Sequence, residues 1–423
     1  MSLPAHVRVT TRLTCALLLV ACTSDGSRTA NPSAPVVERE TIGDTMVIRT
    51  VRGSAWGDRA RLTPVVSIGA LDGDERYIFG NVFAIARDSL NRVLVLDGQA
   101  NAIRVYNADG TYADTWGREG AGPGELRNPD RGLAVLPDGR TVVRDPGNAR
   151  LQLFTRDGAS DGVWLVLSGQ WRSRDPLFQH ADTLLTLQPA GEVRDISDVP
   201  MALVRIAPNG TVFDTLPLPA LGAPVPQLTA RNGGNTAQIA VPWAPGPVWT
   251  WHPAGYFVTG HAERYAITFA DPSGVRRVER AVAPIRITEG ERTQEIARAT
   301  AGLRWLDSSW VWNGPDVPTE KPAFERFYVA TDGRLWVLRA GDAVALDTPE
   351  RDENGVEIAW AEQQLFDVFE RDGSFLGSVP VPMGFKHDRS PVIDGDGLWA
   401  VWDAATGEQR VVRFALTLDQ AVP

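Results

Sequence analysis

The chain has 423 residues, 43% of them hydrophobic, and a formal net charge of −10. Its 42 basic residues are scattered and include only two lysines, Lys321 and Lys386. The clustered basic face of a nucleic-acid binder is missing, so nucleic acid is excluded as a partner. With 40 glycines, 30 prolines and many short β-type runs, the composition is that of an all-β protein long enough to bury its own core.

At the start of the chain, Arg8 and Arg12 precede an apolar run from Leu13 to Ala21 that is too short to span a membrane as a stable helix. That layout marks residues 1–21 as a secretory signal peptide. Residues 22–36 are small, polar and proline-bearing, as in a flexible tether, and the folded domain is expected over 37–423. Cys15 leaves with the signal peptide, so no pair of thiols remains for a disulfide.

The first strand is expected at 44–51 (DTMVIRTV) and another at 62–68 (LTPVVSI). Residues 69–110 and 117–158 then align at one offset of about 48 residues: Asp97 recurs as Asp145, Tyr106 as Phe154, and Asp109-Gly110 as Asp157-Gly158. Short apolar runs separated by Asp-Gly turns are the pattern of antiparallel strands. Degenerate copies follow at 182–210, 255–274, 332–373 and 396–416, which makes six. Alternation within the first two copies points Val93, Val95, Val105, Val135, Val143, Leu151 and Leu153 into the core.

GAGPGEL (120–126), LAVLPDG (133–139) and DPGNARLQLF (145–154) together resemble an NHL-type repeat. The chain over roughly 62–416 is similar to bacterial six-bladed β-propeller lipoproteins of unassigned function. The resemblance implies a six-bladed propeller with blades near 79–117, 129–168, 175–219, 248–282, 323–381 and 389–416. It also implies that 62–68 completes the last blade beside Leu416, which would remove free strand edges. Leu19-Val20-Ala21-Cys22 resembles a lipobox, with Cys22 the lipidation site. Two or more acyl chains there would hold the protein to a membrane. Thr23 follows the cysteine rather than Asp, which by the family's sorting rule implies the outer membrane where a cell has two.

Three stretches depart from the repeat. Residues 227–247 are polar and glycine-rich and read as a long loop over one face. Residues 347–360 read as a polar excursion within blade five. Thr288 with Glu291 forms a capping-box pattern that starts a helix over about 288–303. That helix lies in an insertion of about 284–322 between blades four and five, placed either as a lid over the channel or as a plain surface insertion.

In NHL-type propellers the polar loop after the second strand of each blade faces one end of the channel. By position this implies Asp97 and Asn101 in blade one, Asp145, Asn148 and Arg150 in blade two, and His261 and Arg264 in blade four as ligand-binding candidates. Asp and Asn also cap strand ends and form local turns, so the same residues have a structural reading. A second candidate is an aromatic rim of Trp243, Trp249, Trp251, Trp305, Trp310 and Trp312, able to take a sugar or a peptide or simply to fill space between blades. Amidating lyases of similar repeat type hold a metal with several histidines, one per loop, whereas this chain has only His180, His252, His261 and His387 after the signal and none in the polar loops of blades one and two. Lactonase-like propellers use carboxylates, so Asp97 and Asp145 are the residues for Ca²⁺ if any metal binds. No nucleophile-elbow or phosphate-loop motif occurs. The expectation is an exported, lipid-anchored, monomeric propeller that binds a protein, small molecule or saccharide without a cofactor, touching the membrane only through its anchor. The alternative is a hydrolase or lyase working at the channel mouth. Which ligand it takes is not written in the motifs.

Overall fold

The computed structural model describes residues 35–167, 173–190 and 200–420, so Cys22, the signal peptide and all but the end of the tether lie outside the described residues. The architecture is a six-bladed β-propeller. Blade 1 is Val82–Arg87, Val93–Asp97, Ala102–Tyr106 and Tyr112–Trp116, each strand antiparallel to the next. Blade 2 is Leu133–Val135, Thr141–Asp145, Arg150–Phe154 and Ser160–Trp164. Blade 3 runs from Phe178–His180 to Val212–Pro217, and blade 4 from Pro247–His252 to Gly274–Arg280. Blade 5 comprises Arg326–Val329, Leu335–Arg339, Leu365–Phe369 and Phe375–Pro380. Blade 6 has Val392–Asp394, Gly397–Asp403 and Gln409–Leu418, and its fourth strand is Ala60–Ile68 from the N-terminal side. Leu62 faces Leu416 in that pairing, which closes the ring as the sequence implied.

The repeat has a packing reason. Gly158 sits at φ +83°, and a Cβ there would lie 2.0 Å from the indole of Trp116 at the end of the preceding blade. Only glycine allows both the turn and the close approach. Six of the seven core candidates are almost completely buried, and Val135 is half-buried.

Four departures from the sequence reading stand out. Val36–Ile42 is a strand that begins where the tether was expected to continue, and it forms a hairpin with Thr45–Arg52. The second strand of this hairpin lies parallel to Gly274–Arg280, with Ile48 opposite Val278, so blade 4 has six strands. Val47 and Ile48, both buried, supply the apolar face that makes this addition favourable. Residues 227–247 are not a plain loop, because Gln227–Asn232 pairs with Asn235–Ala240 about the positive-φ pair Gly233-Gly234. The excursion in blade 5 is likewise a hairpin, Ala343–Arg351 with Glu357–Glu362.

The helix α1 (Glu289–Arg304) forms as expected, with the capping box of Thr288 and Glu291 complete. It is wedged between the two extra hairpins. Ala299 and Leu303 pack on Leu228, Ala230 and Val241 of one. Gln294 bonds the other through Ala359 N, Trp360 N and Trp360 O at 2.8–2.9 Å. These insertions occupy connections that enter an innermost strand or join the second to the third strand. In a propeller both kinds of connection lie at the same end, so one mouth of the channel is built up and the other is not.

Candidate functional site

Asp97 and Asp145 end the second strands of blades 1 and 2 and are completely buried. Asp97 accepts the backbone N–H groups of Gly80, Asn81, Gln99 and Ala100 at 3.0–3.2 Å, and Arg104 stands 3.5 Å away. Asp145 accepts from Arg127 N at 2.8 Å, Asn148 Nδ2 at 2.7 Å and Arg150 Nε at 3.2 Å. Burial pushes its carboxyl up, and those donors hold it down. Arg150 also donates to the carbonyls of Ala121, Gly122 and Glu125, and Asn148 to that of Gly120. Asn101, at φ +51°, accepts from Asn128 N at 2.8 Å. Asp97, Asp145, Asn148 and Arg150 therefore stitch each blade to its entering connection, Asn101 ties blade 1 to the connection entering blade 2, and their hydrogen-bonding capacity is largely used within the chain.

His261 is bound to the Ala223 carbonyl at 3.2 Å, and Arg264 is exposed beside it. The six tryptophans do not gather into one platform. Trp310 donates to Thr229 O at 2.9 Å, joining the segment after α1 to the hairpin, and Trp312 donates within its own loop to Gly314 O and Pro315 O. Trp243 packs on the same cluster and lies under Lys321, 5.6 Å from the ring centroid. Trp305 is the exposed one. Trp249 and Trp251 belong to the innermost strand of blade 4, where Trp249 meets Phe178 of blade 3 at 5.8 Å between ring centroids. Among the described residues no three His, Cys, Asp or Glu side chains come together as a metal-holding group.

Two cavities meet at the built-up mouth. The channel, about 690 Å³, is lined by innermost-strand residues including Ile85, Leu133, Phe178, Trp249, Tyr328 and Val392. Above it a vestibule of about 760 Å³ lies between α1, the blade 5 hairpin and the 384–388 connection. Glu325, immediately before the first strand of blade 5, lines both.

Beside the channel Arg131 has three arginines for neighbours, Arg389, Arg174 and Arg326, of which Arg326 lines the channel. Arg131 donates to Asp388 O at 2.6 Å and to Asp388 Oδ2 at 2.9 Å. Burial lowers the pKa of its guanidinium, and the charges of Arg389, Arg174 and Arg326 lower it further. Arg389 is buried and tied to Val82 O and to Asp388. Arg326 and Arg174 are exposed and make no side-chain hydrogen bond or ion pair with the described residues. Asp388 and Asp175 stand opposite these arginines, and the vestibule beyond is lined by Glu291, Glu295, Glu325, Glu362 and Asp403 against Arg298 and Lys386, so positive charge is confined to the channel side of the mouth. His387 lines the vestibule, and burial followed by the charge of Arg326 pushes it down to about 4, which keeps it neutral.

Glu325 Oε2 accepts from Gln364 Nε2 at 2.9 Å. Burial, then the charge of Glu362, pushes its carboxyl up to about 7, against Arg326, Gln364 and Lys321. Lys321 is buried and bridges Glu291 and Glu362 at 2.6 Å each, with a third bond to Gly341 O at 2.8 Å. It thus fixes α1 to blade 5 beside the mouth. Sequence reasoning did not single out Arg131, Arg174, Glu325, Arg326 or His387, because none belongs to the repeated loop. Their shared signal is position: each lies at, or a few residues before, the start of an innermost strand.

No family model matches the chain, and no curated protein matches it. Among solved structures, a DUF4221 family member from Bacteroides vulgatus is 12% identical, with 86% of this chain and 99% of that one covered and a TM-score of 0.49. A Bacteroides fragilis protein thought to be exported gives 11% identity, 88% and 100% coverage and a TM-score of 0.46. Virginiamycin B lyase from Staphylococcus aureus gives 11% identity, 85% and 100% coverage and a TM-score of 0.43. Likeness at this level does not reach the chemistry of the site.

Proposed function

We propose that this protein is a ligand-binding propeller of the bacterial cell envelope, exported and lipid-anchored through Cys22, that takes a small organic anion at the built-up mouth of its channel. The observation that carries the reading is the exposed guanidinium of Arg326, which lines the channel beside the mouth and has no side-chain partner among the described residues, in a chain of net charge −10. An exposed arginine on a cavity wall is suited to carboxylate or phosphate, since its guanidinium presents a fork of donors to two oxygens. The test is a thermal-shift panel of monocarboxylates, phosphate and neutral analogues on the purified protein. Stabilisation by anions alone, lost in Arg326→Ala, supports the reading; stabilisation by neutral compounds only contradicts it.

A second reading has one observation in its favour. Glu325 is poised near neutrality and faces both cavities, which is what a general acid or base at the mouth of a hydrolase or lyase requires. Turnover of a bound ligand that Glu325→Gln abolishes, with binding intact, would select it.

A further inference from the structure

The mouth has an electrostatic upper part and an apolar lower part. Arg326 is the first residue of the innermost strand of blade 5, and Arg174 precedes the innermost strand of blade 3. Between those two blades lies blade 4, whose innermost strand starts at Pro247. Trp249 is two residues further in, a descent of roughly 7 Å at the rise of a β-strand. There it lies against Phe178 with ring centroids 5.8 Å apart. Both rings line the channel and are half-buried rather than sealed in the core. Val248 and Leu133 extend the same apolar wall, while Gln179 and Thr250 are the polar groups beside it.

A purely inorganic anion would use the rim and leave this wall in water. A long aliphatic or neutral guest would use the wall and leave Arg326 without a counter-charge. Both parts are satisfied together by a molecule with a carboxylate at one end and a flat apolar body a short chain away. Resting on the anion-binding reading above, we infer that the ligand class is the arylalkanoates and similar amphipathic carboxylates, held head-up at Arg326 with the ring beside Trp249 and Phe178. Apolar area buried against the shelf adds to the charge-assisted bonds at the rim, and an aromatic face suits an aromatic partner.

The experiment is calorimetric titration of the purified protein with three probes: inorganic phosphate, 3-phenylpropionate and its neutral alcohol, 3-phenylpropanol. The expected result is that phenylpropionate binds at least tenfold more tightly than either other probe. Arg326→Ala should weaken both anions about tenfold, as loss of one charge-assisted contact does. Trp249→Leu should remove the advantage of phenylpropionate and leave phosphate unchanged. If Trp249→Leu does not fold, the ranking of the three probes on the unaltered protein decides by itself. Equal affinity for phosphate and phenylpropionate would overturn the inference while leaving the anion-binding reading in place. No binding by either anion would overturn both.

Discussion

Asp145 of blade 2 and Glu325 of blade 5 are carboxylates at the same end of the propeller, and their surroundings differ in kind. Asp145 is completely buried and meets donors from Arg127, Asn148 and Arg150, all within its own blade and entering connection. Glu325 has one side-chain donor, Gln364, and opens on two cavities. The first arrangement spends its charge on holding the chain, and the second leaves charge available. A polar residue repeated from blade to blade is solving a problem every blade shares, which is how to join a strand end to a connection. The residues free to do chemistry are those the repeat does not prescribe.

Breaking the first side of this contrast has the largest expected effect. Asp145→Ala leaves Arg150 buried without its carboxylate, and loss of such a partner costs about 4 kcal/mol. Denaturant titration should show it as a lower midpoint, with anion binding in the surviving folded protein unchanged. Lys321→Met is next. It leaves Glu291 and Glu362 without the cation between them, at a cost of about 3 kcal/mol. Hydrogen exchange should locate the loosening in α1 and the blade 5 hairpin rather than in blades 1 and 2.

Arg326→Ala is the converse case. Stability should stay within about 0.5 kcal/mol, as for an exposed side chain without partners, while anion affinity falls about tenfold.

A further effect is one of pH. The Glu325 carboxyl is raised in the folded protein to about 7 from an ordinary 4.5, so the native state holds a proton there that the unfolded chain has released. Its contribution to stability is full below the unfolded value and is lost as pH rises through 7. His387 acts in the opposite sense, losing its contribution as pH falls from 6.5 toward 4. Glu325→Gln should therefore remove the fall in stability as pH rises from 5 toward 7 and leave the opposite trend of His387 uncovered, so that the variant gains stability relative to the unaltered protein as pH rises. An identical pH dependence in both would contradict the placement of Glu325.

Much of the scaffold was legible in the chain because each feature had a local cause. The recurrence of Asp97 as Asp145 and of the Asp-Gly turns marked blades 1 and 2, and Thr288 with Glu291 marked the helix. The hairpin at 227–240 was hidden by its polarity, although Leu228 and Ala230 alternate on its inner face with Ala237 and Ile239 opposite. The N-terminal hairpin could not be placed, since its parallel partner near Val278 is remote in sequence. The rim was harder still. Arg326 and Arg174 belong to no motif, and only the closing of the ring brings blade 3, blade 4 and blade 5 around one opening.

The most direct test of the account is crystallographic: soak crystals with 3-(4-bromophenyl)propionate and locate the bromine by its anomalous signal. One bromine peak is expected beside Trp249 and Phe178, with carboxylate density at Arg326. A bromine peak in the Asp97 or Asp145 loops, or none within the channel, would contradict it.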